Sequence, residues 1–388
     1  MNMTARHRIF HTFSSVETAR HAFQNPNGPG PYAYDRMGDE TVTELGRTIA
    51  RIEGAQENCA WETHNGISAL LFLVLALTSK KAGRGRRVVT SSFIYGGSHH
   101  QLSLFRDDHG FDVAFVENPF AVEEWERLIT PGTAFVFLET PSNPTVDVFD
   151  IQALAALAHR KDTLLIVDNT VGVTLQYPLA LGADAVLHSV TKILNGNATA
   201  LGGAVVCRDD SVLMSKELGA VLGEWFVHSG VIMAHEAAVL TLDHCGVIET
   251  LAWEAAEISR NALAMAQWLE RHRKVQKVYY PFLDSYEHHA LARRQMSGGG
   301  GLLSFDVGSA ANAETIGDEI IRAGLHFAPH LGYRGGTIYI APAVTTHALL
   351  THEERVAAHI TDGMIRVSVG VPDIARDLEV LSGALKNI

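Results

Sequence analysis

Four polar residues with the chemistry of a catalytic centre follow two short apolar runs in the middle of the chain. Asp168 ends the first run, and Ser189, Thr191 and Lys192 follow the second. In an open α/β sheet, ligands bind in the crevice beyond the carboxyl ends of the strands. If both runs are strands, a carboxylate, two hydroxyls and an amine therefore surround one pocket.

This set of groups matches the needs of pyridoxal 5′-phosphate. Lys192 would form a Schiff base with the cofactor, and Asp168 would keep its pyridine nitrogen protonated. The hydroxyls of Ser189 and Thr191 would hold its phosphate. Each residue is a weak signal alone, because a lysine after a strand is usually solvated and an aspartate there is often a cap or turn residue. The two motifs lie one crossover apart, and their pairing predicts a cofactor site.

The elements that would position these groups alternate along the chain. Apolar residues recur at helical spacing over 41–54, where Gly54 supplies a helix stop, and again over 151–159. Continuous apolar strands separated by helices are typical of a mainly parallel sheet that is covered on both faces. We therefore predict such a sheet as the core of a large domain. Its strands begin near residues 87, 112, 134, 164, 185 and 202.

The second half of the chain has a different pattern. Leu, Ile and Ala recur at helical spacing over 239–270, which predicts one long helix. Strands are predicted over 277–281, 301–307 and 364–369. The glycines at 298–301 predict a flexible turn or the edge of a lid.

Length and composition bound the class of protein. With 388 residues, the chain is too long for one simple core. We divide it into an N-terminal arm (1–42), a large cofactor-binding domain (43–236) and a C-terminal α+β domain (237–388). Hydrophobic residues make up 47% and charged residues 19% of the chain, so most of it is expected to be packed.

Charge and cysteine usage limit the partners and the compartment. The net charge is −12, which disfavours nucleic acid and anionic membranes as partners. Three cysteines without a CxxC pair indicate a reducing compartment. The apolar run at 69–77 is too short to cross a bilayer and predicts a buried helix, and the N-terminus lacks the apolar region of a secretory signal. We expect a cytoplasmic protein with neither a nucleic-acid nor a membrane partner.

Several sequence blocks occur in the order found in one enzyme family. The blocks are Tyr34-Asp-Arg36-Met-Gly, Ile94-Tyr95-Gly-Gly, Glu139-Thr-Pro-Ser-Asn143-Pro, Val167-Asp168-Asn-Thr, His188-Ser189-Val-Thr191-Lys192, Gly202-Gly-Ala-Val, Gln295-Met-Ser-Gly-Gly-Gly-Gly and Arg366-Val-Ser-Val-Gly. In these blocks the chain resembles the Cys/Met-metabolism pyridoxal-phosphate enzymes. That family includes cystathionine γ-synthase, cystathionine γ- and β-lyases, methionine γ-lyase and O-acylhomoserine sulfhydrylases. The resemblance implies an α/β fold of the type I pyridoxal-phosphate-dependent transferase (aspartate aminotransferase-like) kind, with a mainly parallel sheet in the large domain and a smaller α+β C-terminal domain.

The resemblance also assigns roles to individual residues. It implies that Tyr95 stacks on the pyridine ring and serves in proton transfer. It places Asn143 beside the phenolic oxygen of the cofactor. Gly66 and Ile67 match a Gly-Met at a helix N-terminus, where backbone N–H groups bind phosphate.

Further positions would contact the substrate or a neighbouring subunit. Tyr34 and Arg36 match a Tyr-x-Arg that, in the family, crosses from the neighbouring subunit to the phosphate, and Tyr34 also belongs to the expected substrate-binding set. Arg366 matches the arginine that clamps the substrate α-carboxylate in a bidentate geometry. The resemblance therefore implies a homo-oligomer, a dimer of dimers, with active sites shared between subunits.

One segment departs from the family pattern. Residues 330–337 read His-Leu-Gly-Tyr-Arg-Gly-Gly-Thr, one residue longer than the family's segment. They lack the acidic residue that the cystathionine enzymes associate with the distal amino group of the substrate. We place His330 in the substrate-binding set and expect cystathionine itself to be disfavoured. No HExxH or other ligand spacing occurs among the 20 histidines, so no metal is expected.

The predicted reaction starts from an L-amino acid with a leaving group on its γ-carbon. Lys192 would move protons between Cα, Cβ and the cofactor, and loss of the substituent would leave a vinylglycine-type intermediate. Hydrolysis of that species gives a 2-oxo acid and ammonia. Two alternatives stay open: γ-replacement on an O-acylhomoserine-like substrate, and β-elimination. An inert relative of the fold is an alternative from another class, although every cofactor-contacting position carries a workable side chain.

Overall fold

Two β-sheets organise the chain, one of seven strands and one of five. The structure, a computed structural model, describes residues 9–24 and 30–388. The α-helices are α1 (Val16–Gln24), α2 (Glu40–Glu53), α3 (Gly66–Leu77), α4 (Gly96–His109), α5 (Val122–Leu128), α6 (Ile151–Arg160), α7 (Lys216–Ser229), α8 (His235–Cys245), α9 (Ile248–Glu270), α10 (His289–Gln295), α11 (Ala310–Arg322), α12 (His352–Ala357) and α13 (Ala375–Ala384). The strands are β1 (Ala60–Thr63), β2 (Arg87–Ser91), β3 (Asp112–Val116), β4 (Thr133–Glu139), β5 (Leu164–Asp168), β6 (Ala185–His188), β7 (Gly203–Cys207), β8 (Lys277–Tyr279), β9 (Leu302–Asp306), β10 (His326–Phe327), β11 (Ile338–Ile340) and β12 (Met364–Ser368).

The larger sheet is mainly parallel, as predicted. Its strand order is β1-β7-β6-β5-β4-β2-β3. The neighbours from β6 to β3 pair in parallel, and β7 runs antiparallel to both β6 and β1. The register aligns Glu139 with Asp168 and Asp168 with Leu187. The strands β4, β5 and β6 therefore deliver their last residues to the same edge of the sheet.

Alternating apolar residues bury both faces of this sheet. Leu164 and Ile166 pack in one cluster with α3, whereas Leu165 and Val167 pack in another with α5 and α6. A strand that is covered on both sides requires this period of two. Each fully buried Leu or Ile contributes about 1.5–3 kcal/mol relative to exposure. α3 is apolar and largely buried, which confirms the buried helix predicted for 69–77.

The smaller sheet holds a central strand that reaches the candidate site. Its order is β10-β11-β12-β9-β8, and β12 pairs antiparallel with both β11 and β9. Apolar side chains of α9, α11 and α13 cover this sheet. Arg366 on β12 therefore lies between two neighbouring strands that fix its backbone. The predicted fold class is confirmed, and the domain boundaries at residues 43 and 237 stay predictions.

The prediction of one long helix over 239–270 is wrong. The structure has two helices, α8 and α9, with a break at Gly246 and Val247. The Gly246 N–H closes the last turn of α8 on Leu242, and the Val247 carbonyl accepts the N–H of Leu251 in α9. Each helix buries an apolar face of its own, so the apolar spacing continues across the break. Periodicity alone gives no sign of the interruption.

The N-terminal and glycine-rich segments also differ from simple loops. The arm predicted for 1–42 contains the helix α1 and the start of α2, while its residues 1–8 and 25–29 lie outside the described part. Gly298, Gly299 and Gly300 are buried, and the Tyr280 ring leaves no room for a Cβ at Gly299. The glycine run is thus a packed turn. Among the described residues, no helix combines the length and apolarity needed to cross a membrane. The three cysteines are buried and free.

Candidate active site

A cavity of about 370 Å³ lies at the carboxyl edge of the larger sheet. Its volume is in the range of small-molecule binding sites. The structure brings most of the sequence-predicted site residues to its wall. These are Gly66, Ile67, Tyr95, Asn143, Asp168, Ser189, Thr191, Lys192 and Arg366.

Two buried carboxyl groups form the floor of the cavity. Asp168 ends β5, and Glu139 is its paired neighbour at the end of β4. Burial raises the pKa of Glu139 well above its ordinary value, and the adjacent Asp168 raises it further. Burial also raises the pKa of Asp168, but Thr170 opposes this shift by donating its N–H to Asp168 Oδ1 at 3.0 Å. Two adjacent buried carboxylates repel each other, so we assign the proton to Glu139 and the negative charge to Asp168.

Sequence reasoning did not assign Glu139 a role in the site. Glu139 Oε2 accepts the backbone N–H of Tyr95 at 2.6 Å, so this carboxyl also fixes the start of α4. The signal was present in the sequence, because Glu139 ends an apolar strand just as Asp168 does. The same strand-end argument applied to β4 would have found it.

A buried polar network supports the loop after Asp168. The last residue of α2, Glu53, accepts a hydrogen bond from Asn169 Nδ2 at 2.8 Å and lies 2.7 Å from His188 Nε2. Glu53, Asn169 and His188 are all buried. Polar groups that are hydrogen-bonded to one another in the interior hold a single geometry. The network therefore fixes the ends of β5 and β6 relative to α2.

The N-terminus of α3 offers two backbone donors to the cavity. Its cap residue Asn65 uses its side chain to accept the N–H of Ser68 at 2.8 Å and its carbonyl to accept the N–H of Ala69. The N–H groups of Gly66 and Ile67 are the first of the helix and have no intrahelical partner. A helix N-terminus of this kind binds phosphate.

The hydroxyl side of the same cup is tightly packed. A Cβ on Gly66 would lie 2.9 Å from Ser189 Cβ, which is too close for any other residue type. Thr191 Oγ1 already bonds Gly202, donating to its carbonyl at 3.2 Å and accepting its N–H at 3.0 Å. Ser189 Oγ makes no hydrogen bond within the described ranges, so it is the hydroxyl that is open to a ligand.

Lys192 lies on the turn after β6. Its N–H donates to Ser189 O at 3.1 Å, which closes the turn. Burial lowers the pKa of the Lys192 amine from its ordinary value to about 8, and the nearby Arg366 contributes in the same direction. A lysine in this condition has a substantial neutral fraction near pH 7 and can act as a base.

Arg366 is a buried cation that lacks an anionic partner. Its side chain donates from Nη1 to Asn143 Oδ1 at 3.1 Å and from Nη2 to the His330 carbonyl at 2.9 Å. Its Nε is sealed from solvent and unpaired, and no ion pair to Arg366 occurs among residues 9–24 and 30–388. Burial lowers the pKa of Arg366 to about 10, so the guanidinium stays charged at neutral pH. A buried guanidinium without a counter-ion is costly and suits an anionic ligand.

Tyr95 lies at the mouth of the cavity above His347. The Tyr95 side chain is part-exposed, and its ring meets that of His347 edge-on at 6.4 Å. His347 is fully buried, and burial together with Arg366 lowers its pKa to about 3. The sequence indicates only a packing or surface position for His347, because its place in an irregular segment before α12 carries no pattern that would predict proximity to the site.

Three predicted site residues do not line this cavity. Tyr34 and Arg36 lie in the N-terminal segment, where Arg36 Nη1 donates to the Val227 carbonyl at 3.3 Å. His330 holds Arg366 through its carbonyl, and its Nε2 is buried without a partner. Burial, Lys192 and Arg366 lower the pKa of His330 to about 4, so its imidazole is neutral at pH 7.

One group of potential metal ligands lies away from the cavity. In the described ranges, His11, Asp35 and Asp39 bring one ligand atom each to within 4.8 Å of one another. Asp39 is also the N-cap of α2, where its carboxylate accepts the Val42 N–H at 3.0 Å. The group belongs to the N-terminal segment and does not line the cavity of its own chain.

Comparison with known proteins decides the family. A model of the Cys/Met metabolism PLP-dependent enzymes matches residues 4–386. The chain belongs to this family. It is 34% identical to a cystathionine gamma-lyase of Bacillus subtilis over 358 residues, which cover 92% of this chain and 89% of that protein. It is 36% identical to an O-succinylhomoserine sulfhydrylase of Pseudomonas aeruginosa, with 94% and 85% of the two chains covered.

A solved structure extends the likeness to the cofactor. A putative O-acetylhomoserine (thiol)-lyase of Campylobacter jejuni, determined with a pyridoxyl-lysine phosphate, matches this chain with a TM-score of 0.87. It is 27% identical, and the match covers 98% of this chain and 94% of that one. This Cys/Met-metabolism enzyme is pyridoxal-phosphate-dependent, and both γ-elimination and γ-replacement fit its relatives.

The cavity fits this cofactor on its own chemistry. An amine with a lowered pKa, a buried carboxylate, two open helix N–H groups and a free hydroxyl surround one space. These are the partners that an aldehyde, a pyridine nitrogen and a phosphate need. Arg366, which has no anionic partner among the described residues, is available to bind a second anion in the same cavity.

Proposed function

We propose that this enzyme eliminates an uncharged substituent from the γ-carbon of an L-amino acid and releases a 2-oxo acid and ammonia. The observation that carries the proposal is the buried Arg366 guanidinium, which has no carboxylate partner in the described residues and shares a cavity with Lys192. An amino acid supplies the carboxylate that this guanidinium lacks, in the bidentate geometry that arginine favours.

The cofactor and the residues of the chain divide the work. When bound, pyridoxal phosphate supplies an electron sink for negative charge at the substrate α-carbon. Lys192 Nζ holds the cofactor and then moves protons at substrate Cα and Cβ, for which a pKa near 8 is well suited. Asp168 would keep the pyridine nitrogen of the cofactor protonated by its negative charge, and Tyr95 would offer its ring to the cofactor and its phenol as a proton donor to the leaving group.

Other residues hold and orient the two ligands. The N–H groups of Gly66 and Ile67 and the hydroxyl of Ser189 would bind the phosphate. Thr191 shapes the same cup, and its hydroxyl would reach the phosphate by giving up its bond to the Gly202 carbonyl. Asn143, which accepts a hydrogen bond from Arg366, orients the guanidinium toward the substrate carboxylate.

The wall of the cavity supports an uncharged γ-substituent. Among the described residues that line it, the carboxylates are Glu139 and Asp168, which both lie on the floor. The remaining wall includes the apolar side chains of Leu70, Leu201 and Leu331. A distal amino group would lose its hydration there without gaining a counter-ion. The substrate is therefore closer to a thioether than to an amino acid with a second charged end.

The second candidate is γ-replacement, in which a thiol displaces the γ-substituent. The sulfhydrylase relative of Pseudomonas aeruginosa favours it, because its identity to this chain is similar to that of the cystathionine gamma-lyase. Both reactions use the same first steps, so the residues proposed above serve either outcome.

The proposal includes a homo-oligomer, arranged as a dimer of dimers. Tyr34 and Arg36 lie outside the cavity of their own chain, which agrees with a role at the phosphate and substrate of a neighbouring subunit. A planar guanidinium is suited to such a contact. The cytoplasmic location expected from the sequence stays a prediction.

The proposal is tested by product release from a panel of γ-substituted amino acids. Purified protein loaded with pyridoxal phosphate is given L-methionine, L-cystathionine and O-acetyl-L-homoserine, with and without an added thiol, and 2-oxo acid and ammonia are measured. We expect release without the thiol and a kcat/KM for L-methionine well above that for L-cystathionine. Formation of a new thioether amino acid from the added thiol, with no release of 2-oxo acid or ammonia, supports the second candidate.

The controls separate the site from contaminating activity. Borohydride reduction followed by peptide mass mapping is expected to find the cofactor mass on Lys192. Lys192→Ala is expected to abolish turnover, and the exposed Lys81→Ala, which removes a surface ion pair with Glu224, is expected to leave it unchanged. Turnover that survives in Lys192→Ala would overturn the assignment.

A further inference from the structure

A single buried carboxylate, Glu254 on α9, holds two basic side chains from different parts of the fold. Its Oε1 pairs with Arg334 Nη1, and its Oε2 lies 2.7 Å from His244 Nε2. Glu254 is only 5% exposed. The adjoining cavity measures about 40 Å³, which has room for a few waters at most. The negative charge of Glu254 is therefore balanced by these basic side chains rather than by water.

The histidine continues the contact to the catalytic lysine. His244 Nδ1 lies 2.9 Å from the carbonyl of Leu194, two residues after Lys192. Both ring nitrogens thus face oxygen atoms of other residues. His244 joins Glu254 to the turn after Lys192 through these two contacts. That turn is short, since the Gly196 N–H donates to the Lys192 carbonyl at 2.9 Å.

The arginine belongs to the segment that departs from the family pattern. The Arg334 N–H donates to the Gly196 carbonyl at 2.8 Å, and its own carbonyl accepts the Val371 N–H at 2.9 Å. Gly332 packs on the same turn, where a Cβ would lie 2.7 Å from the backbone nitrogen of Ile193. Its φ of +79° also favours glycine. The segment therefore touches the Lys192 turn by backbone as well as by charge.

The other end of this segment reaches the proposed substrate clamp. The His330 carbonyl accepts Arg366 Nη2 at 2.9 Å, and the Gly332 N–H donates to Ser368 Oγ at 2.9 Å. Residues 330–334, which we call the 330–334 loop, thus connect Arg366 on the small sheet to Gly196 in the segment between β6 and β7 of the large one. Glu254 is the acceptor that both sides share.

We propose that Glu254 is a positioning residue that, through His244 and Arg334, holds the Lys192 turn and the 330–334 loop in register. The inference rests on the proposed function in one respect, which is that Lys192 and Arg366 act on the same substrate. The linkage between the two segments is a structural property, so it can be measured whether or not the enzyme turns over a substrate. A contact that only stabilised the fold would lower stability without linking these two segments.

Hydrogen–deuterium exchange of the cofactor-loaded, full-length protein tests the linkage directly. Arg334→Met removes a side chain of the 330–334 loop only, yet we expect faster exchange in peptides over both 193–197 and 331–335. Glu254→Gln is expected to give the same pattern. The matched control is Arg322→Met, which breaks an exposed pair with Glu319 on α11 and is expected to change neither peptide. Exchange that rises only around the substituted residue would overturn the proposal.

Kinetics supply a second readout that a structural role would not reproduce. We expect Glu254→Gln and Arg334→Met each to lower kcat/KM about tenfold, and the double variant to lower it little further, because coupled residues are non-additive. Arg334→Lys is expected to recover most of the kcat/KM that Arg334→Met loses. Compared with the wild type, Arg334→Lys is expected to have an unchanged kcat and a raised KM. Losses that multiply in the double variant would overturn the coupling.

The two proposals fail separately. If no γ-substituted amino acid is turned over but the exchange pattern is found, the proposed function falls and the linkage stands. If turnover is found and exchange at 193–197 is unaffected by Arg334→Met, the linkage falls alone.

Discussion

Glu139 and Asp168 are paired neighbours at the ends of β4 and β5, and both carboxyl groups are buried. The pair holds one negative charge, because burial and mutual repulsion keep the second carboxyl protonated. Asp168 keeps the charge since Thr170 donates to it, while Glu139 binds the backbone of Tyr95. The floor of the site is thus one acid and one carboxylate with different tasks.

The first prediction separates these tasks by two amide substitutions. Glu139→Gln is expected to keep kcat within about threefold, because the amide preserves an acceptor for the Tyr95 N–H and a donor in place of the acid proton. Asp168→Asn removes the charge and is expected to lower kcat by about 10²–10³-fold. Steady-state kinetics at saturating cofactor measure both. A loss in Glu139→Gln as large as that in Asp168→Asn would contradict the assignment of the charge.

The second prediction concerns the titration of Lys192 in the cofactor-free protein. Its pKa is lowered from 10.5 to about 8, first by burial and then by Arg366. Acetylation followed by mass spectrometry across a pH series is expected to give a midpoint near 8 for Lys192. Arg366→Met removes a neighbouring cation that disfavours the ammonium form, so the midpoint is expected to rise. Burial keeps it below 10.5. An unchanged or lower midpoint in Arg366→Met would contradict the geometry of the pair.

The third prediction tests the phosphate cup by its packing. Gly66→Ala places a Cβ 2.9 Å from Ser189 Cβ, so the cup must open and cofactor affinity is expected to fall. A tenfold or greater rise in Kd corresponds to about 1–3 kcal/mol, as for overpacking in a core. Gly383→Ala is the matched control, because its Cβ would meet nothing within 4 Å. Cofactor titration by absorbance measures both, and wild-type affinity in Gly66→Ala would rule out this use of the helix.

The fourth prediction concerns acid stability. The pKa of buried His347 is lowered from 6.5 to about 3. Between these values the unfolded chain binds a proton that the folded chain does not, so stability falls as the pH drops. The Tm of His347→Gln is expected to fall less between pH 6.5 and pH 4 than the Tm of the wild type. This difference is expected whatever the Tm of the variant is at pH 8. Parallel curves for the two proteins would mean that His347 does not contribute to the acid sensitivity.

The sequence predicted those parts of the site that strand ends deliver. Asp168 and Lys192 follow apolar runs, and adjacent parallel strands must bring such residues to one edge. Arg366 could be assigned by likeness to a family and by its place in an apolar strand. These predictions succeed because local pattern and sheet topology together determine where the residues lie.

Other features depend on contacts that no local pattern encodes. His244, Glu254 and Arg334 come from two helices and a loop, and none of them stands at a special position in its own periodic stretch. The break between α8 and α9 escaped prediction because each helix buries an apolar face and the helical spacing continues across the break. Residues far apart in sequence meet there through packing, which the chain reveals only when folded.

The helix α2 has a consequence for any assembly of this chain. It starts just after Arg36 and is capped by Asp39, and its last residue, Glu53, is anchored to His188 and Asn169 beside the floor of its own site. Its 14 residues form a rod of about 21 Å. If the N-terminal arm moves at a contact between subunits, α2 would therefore move as a rigid helix and displace Asn169, the residue next to Asp168.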